Sequence, residues 1–210
     1  MKTQAAARVA LLAAVALTFS APAAAQSATG RCGVDRRAIK TRHVSGAVAR
    51  NFTVSEFLAL NRPAHGKPKN YKAQLIEGGD EGQVVSLRGW LHGAALSADD
   101  SDYHIQLTAS QDNCDEMVIV EVPDDHCVFD APLAKPALRV RRFVDKALGK
   151  APRTTYRRMT VPREVIVTGQ LFYDLHHETA ADPGGRRGKG KCKAGGLWEV
   201  HPIVAITLAE

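Results

Sequence analysis

The chain has 210 residues, of which 45% are hydrophobic and 24% charged, and a formal net charge of +6. That supplies enough apolar material for one packed domain, and too little compositional bias for a disordered, collagen-like or coiled-coil chain. Past the N-terminal stretch no apolar run reaches the roughly 20 residues of a spanning helix, which excludes a bundle of transmembrane helices.

The opening stretch MKTQAAARVALLAAVALTFSAPAAAQ carries Lys2 and Arg8, then an apolar run, then small residues ending Ala23-Ala24-Ala25. This is the layout of a secretory leader. Cleavage after Ala25 is expected, leaving 185 residues and a net charge of +4. The expected compartment is the periplasm or the outside of a bacterial cell. The chain then divides into a leader over 1–25, an N-terminal extension over 26–82 and a β domain over 83–210.

In the extension, TVSEFLAL places Thr53 and Glu56 at capping-box spacing before an apolar run, so a short helix is expected there. From Gln83 the periodicity sharpens. QVVSLRGWLHGAAL reads as a strand with Gly89 and Gly93 at bends or bulges. DYHIQLTAS alternates Tyr103, Ile105 and Leu107 against His104 and Gln106. EMVIVEVP is a third strand, stopped by Pro123. The period then changes: in KPALRVRRFVDKALGK one helical face carries Val140, Phe143, Val144 and Ala147, another Arg139, Arg142, Lys146 and Lys150. Pro136 suits the first turn of that helix and Gly149 its end. REVIVTGQLFYD and LWEVHPIVAITL are the fourth and fifth strands. Three strands, a helix and two strands is the order of a five-stranded OB-like barrel with its helix between strands 3 and 4.

Cys32, Cys114, Cys127 and Cys192 form an even set without zinc-ligand spacing, which reads as disulfides in an oxidising compartment. The strand between Cys114 and Cys127 spans about 26 Å if extended, whereas bonded cysteines sit within roughly 7 Å. Each is therefore expected to bond outward, to Cys32 or Cys192.

The motifs DYHIQL, MVIVEVPDDHC, VTGQLFYDLHH and LWEVHPIVAI, in that order, resemble a group of small exported bacterial proteins with an OB-like barrel. The segment DRRAIKT is similar to a lead-in found in that group. The resemblance implies the barrel fold, no established activity, and shared positions at Asp102, His104, Glu121, Asp174, His176, Glu199 and His201. A long insert, ETAADPGGRRGKGKCKAGG, departs from the pattern between the last two strands.

Two function classes follow. The first is a non-catalytic binding module for an anionic polymer, nucleic acid included, or for a saccharide. It would use Arg139, Arg142, Lys146, Arg186, Arg187, Lys189, Lys191 and Trp198. Charge asymmetry motivates it: from Glu77 to Asp130 there are thirteen acids and one base, from Lys135 to Arg163 ten bases and one acid. A plainer reading lets the two stretches neutralise each other within the fold. The second class is a metal-dependent, nuclease-like hydrolase centred on His104, His176, His201 and Glu199. Glu199 and His201 read first as groups that fix the rim of the fold. A structural protein docked to an envelope partner is a third possibility. GRRGKGKC from Gly185 imitates phosphate-loop spacing, but Cys192 stands where the magnesium-binding hydroxyl belongs. No cofactor fingerprint is present, and none is expected to bind.

Overall fold

The computed structural model describes residues 32–178, 186–188 and 192–210. The expected leader lies outside these, as do Lys189 and Lys191. In chain order the elements are α1 (Arg37–Lys40), β1 (Arg50–Thr53), α2 (Val54–Leu58), β2 (Val84–Leu96), β3 (Tyr103–Thr108), β4 (Met117–Val122), α3 (Ala131–Leu148), β5 (Arg157–Tyr173), β6 (Arg186–Arg187), β7 (Ala194–Gly195) and β8 (Trp198–Leu208). No described helix is long and apolar enough to cross a membrane.

The protein is mainly β. Among the described residues six strands form one sheet in the order β1-β2-β3-β4-β8-β5, and β5 pairs back onto β2. Backbone hydrogen bonds therefore run in a ring through five strands. β2 bulges at His92, between Leu91 and Gly93. Gly93 lies where the chains pass closest, since a Cβ there would sit 2.3 Å from the Arg157 carbonyl oxygen. Gly89 makes no bulge: it pairs in register with Val165, and a Cβ on it would press against Val54 at 2.8 Å.

The alternating residues fill one core with Val85, Leu87, Ile105, Leu107, Val118, Val120, Val167 and Val200. Phe52, Val54, Phe57 and Ile76 join that same core, so the described part of 26–82 is packed onto the β domain. β1 lies parallel to β2, and α2 starts at the expected capping box, with the Thr53 side chain accepting from the Glu56 amide. The second face of β3 and β4 is also covered. Met117 and Ile119 pack there with Cys192 and Ala194, and Gln106 is buried.

α3 follows β4 and buries Leu133, Ala137, Val140 and Val144. It begins a turn earlier than its periodicity suggested. Pro132 occupies the first turn, where a missing N–H costs nothing, while Pro136 falls inside the helix. Gly149 ends it in the left-handed conformation.

Two disulfides join Cys32 to Cys127 and Cys114 to Cys192. Cys114 and Cys127 flank β4 and stand at its opposite ends, so each reaches outward to a distant segment. One bond ties the loop before α1 to the loop after β4. The other ties the loop before β4 to the hairpin of β6 and β7.

Candidate functional site

Alternation along three neighbouring strands brings five polar side chains together. Asp102 just precedes β3 and His104 is two residues on, on the same face. Glu121 of β4 is the direct cross-strand partner of His104. β8 runs parallel to β4, with Ile119 opposite Glu199 and Val120 opposite Val200. His201 thus arrives beside Glu121. Asp102, His104 and Glu121 line a cleft of about 760 Å³, closed on other sides by the Cys32–Thr41 segment and by Asp174, His176, His177 and Arg187.

His201 is wholly buried, with Nε2 3.1 Å from Asp102 Oδ2 and Nδ1 3.1 Å from Glu121 Oε2. Glu199 Oε2 is 3.6 Å from Nδ1. Neither ring nitrogen is in hydrogen-bonding geometry, so these contacts act as ion pairs. Burial disfavours charge on His201, yet Asp102, Glu121 and Glu199 outweigh it and raise the pKa well above the usual histidine value. Burial raises the Asp102 pKa against the pull of His201. Burial also opposes ionisation of Glu121, but His104 and His201 hold its pKa well below the ordinary range. His104 Nδ1 contacts Glu121 Oε1 at 2.8 Å. Its Nε2 is buried without a hydrogen-bond partner among the described residues.

A second ionic chain adjoins the first. Arg187 of β6 donates to Asp174 Oδ2 at 2.5 Å and to Glu199 Oε1. Asp174 caps the turn Leu175–His177 by accepting from the His176 amide, and His177 Nδ1 meets its other side at 2.5 Å. Burial works against an ionised Asp174, but His177, Arg187 and Lys40 hold its pKa down at about 2. Lys40 of α1 pairs with Asp100 at 3.2 Å. Burial opposes its charge, and the field of Glu121, Asp100, Glu199 and Asp174 more than reverses that, raising its pKa.

The structure therefore gathers His104, His201 and Glu199 around Glu121. His176 is two-thirds exposed at the rim, 4.0 Å from Asp35, and does not join them; the neighbouring His177 holds Asp174 instead. The partners of the Glu199 and His201 side chains are ionic side chains and not loop backbone. Arg187 is buried in the network. Trp198 is buried too, donating from Nε1 to the Asn61 carbonyl at 2.9 Å and packing edge-on against Tyr173. Tyr103 and Phe172 are likewise core residues. Arg139, Arg142 and Lys146 are exposed on the outer face of α3. The Arg186 side chain, Lys189 and Lys191 lie outside the described set. Local sequence patterns missed Arg36 and Lys40, because their partners lie 45 and 60 residues away.

No protein-family model matches the chain, and no curated protein matches it.

Proposed function

We propose that this is an exported binding module with an OB-like ring, and that it grips an anionic polysaccharide through the outer face of α3. One observation carries the reading. Lys135, Arg139, Arg142 and Lys146 are all exposed, recur at intervals of three and four residues, and so form one stripe on the helix. No described acid pairs with any of them. Several acids of the 77–130 stretch are engaged elsewhere: Glu81 with Arg36, Asp100 with Lys40, Glu121 with two histidines, Asp124 with His126 and Arg141. A row of unpaired cations on a rigid helix attracts a polyanion and releases its counterions on contact. Two disulfides support an oxidising compartment for the protein.

The experiment is elution from immobilised heparin against rising salt, beside the Arg139→Gln/Arg142→Gln/Lys146→Gln variant. Binding is expected to fall steeply with salt, and the variant to elute markedly earlier. A stronger, equally salt-sensitive preference for duplex DNA would make nucleic acid the partner. Retention that ignores both salt and the three substitutions would end the proposal.

A further inference from the structure

We infer that Asp102, Glu121 and His201 form a binding site for a divalent transition metal ion, entered from the cleft. The inference concerns a different part of the molecule from the α3 stripe and does not depend on it.

One donor atom from each of the three residues can be chosen so that all lie within 4.8 Å of one another. Bonds near 2.0–2.2 Å to a shared ion put ligand atoms about 3–4.4 Å apart, so modest side-chain movement brings these donors onto one ion. All three residues are buried. The decisive observation is His201. A side chain with no solvent exposure ordinarily has its nitrogens hydrogen-bonded, yet neither nitrogen of this ring is, although a carboxylate oxygen stands 3.1 Å from each. An imidazole offers an ion a single nitrogen, so one of these undirected contacts is of the kind that two ligands of one ion show toward each other, and the other carboxylate lies within 4.8 Å of that same donor set.

Charge points the same way. Of the permanent cations that line the cleft, Lys40 is paired with Asp100 and Arg187 with Asp174 and Glu199, while Arg37 donates to the Cys127 carbonyl. Asp102 and Glu121 make their ion pairs to imidazoles alone. Two buried carboxylates in that position need positive charge, and a divalent ion supplies it in full. His104 holds the other oxygen of Glu121 at 2.8 Å. That is the outer contact that orients a ligating carboxylate. Because Asp102 and Glu121 line the cleft, the remaining coordination positions face it and are open to water or a ligand. One imidazole and two carboxylates suit zinc or manganese.

Two other clusters of this kind among the described residues carry nothing. In one, the sulfurs of Cys114 and Cys192 are already bonded to each other. In the other, His126 is largely in solvent beside Asp124 and Asp125.

The test is calorimetric titration of the EDTA-treated protein with Zn²⁺ and Mn²⁺, alongside metal analysis and the visible spectrum of a Co²⁺-loaded sample. One ion per chain is expected. Asp102→Asn and Glu121→Gln, both isosteric, are expected to abolish uptake while retaining the near-ultraviolet circular dichroism of the parent. His104→Ala should weaken affinity about 10–100-fold. If the parent takes up no metal, or if the two isosteric variants bind as it does, the site is an imidazolium clasp and the inference is wrong. Either result leaves the heparin experiment untouched.

Discussion

Arg36 and Glu81 face each other as a two-pronged ion pair, Nη1 to Oε1 at 2.6 Å and Nη2 to Oε2 at 2.8 Å, with almost no solvent contact. The pair is saturated. Glu81 also accepts from the amides of Ile76 and Tyr173, and Arg36 donates to the carbonyls of Tyr71, Gln74 and Tyr173. It therefore rivets the segment before β2 to the end of β5. Glu81→Ala leaves a buried guanidinium uncompensated, and a loss of about 3–5 kcal/mol is expected in urea unfolding. Removing Glu164, the half-buried partner of the exposed Arg88, should barely move the midpoint. Equal effects from the two would contradict this account.

Asp174 makes the fold sensitive to acid in a defined window. Its carboxyl is held at about 2 in the folded chain, against about 3.9 when unfolded. A depressed acid stabilises the fold above the unfolded value and loses that contribution as pH drops toward the folded one. The contribution is roughly 2–3 kcal/mol. Parent and Asp174→Asn should thus differ most at neutral pH and converge between pH 4 and 2. A gap that stays constant down to pH 2 would show that Asp174 acts through something other than its charge.

Gly169 is fixed by backbone on the neighbouring strand. A Cβ there would lie 2.4 Å from the Pro202 carbonyl oxygen and 2.8 Å from Ile203 Cα. Neither atom can swing away as a side chain can. Gly169→Ala should cost about 1–3 kcal/mol, whereas Gly196→Ala, with open space around it, should be silent. Thermal melts of the two variants compare them directly.

The bond from Cys32 to Cys127 closes a loop of 95 residues, for which chain entropy gives on the order of 4–5 kcal/mol. It also tethers α1, which supplies Lys40 to the cleft. Cys32→Ser/Cys127→Ser should melt well below the parent. An unchanged melt would mean that the Arg36–Glu81 rivet alone holds this segment.

Strands and helices were readable where a local period dictates them. Tyr103, Ile105 and Leu107 alternate into the core as expected, and Thr53 with Glu56 announces α2 one turn ahead. The start of α3 was misplaced because both Pro132 and Pro136 fit a first turn, and choosing between them takes the tertiary packing of Leu133. The site was half legible. Periodicity put His104, Glu199 and His201 on the polar sides of their strands, which ordinarily means solvent. Here that side is roofed by α1 and the β6–β7 hairpin, held down by disulfides that no local pattern reveals. Burial then turned a polar face into an ionic network. His176 stands out in the motif, but one turn of backbone, capped by Asp174, decides that the His177 ring is the one that reaches the Asp174 carboxylate.

β4 and β8 share just two residue pairs, the shortest seam in the ring. One step further on, Glu121 and His201 meet through their side chains. The ring is thus fastened there by a clasp of side chains where amide pairing gives out. Amide protons beside the clasp should exchange with deuterium sooner than those along β2 and β5. Whatever resets the charge at that clasp governs how readily the ring breathes.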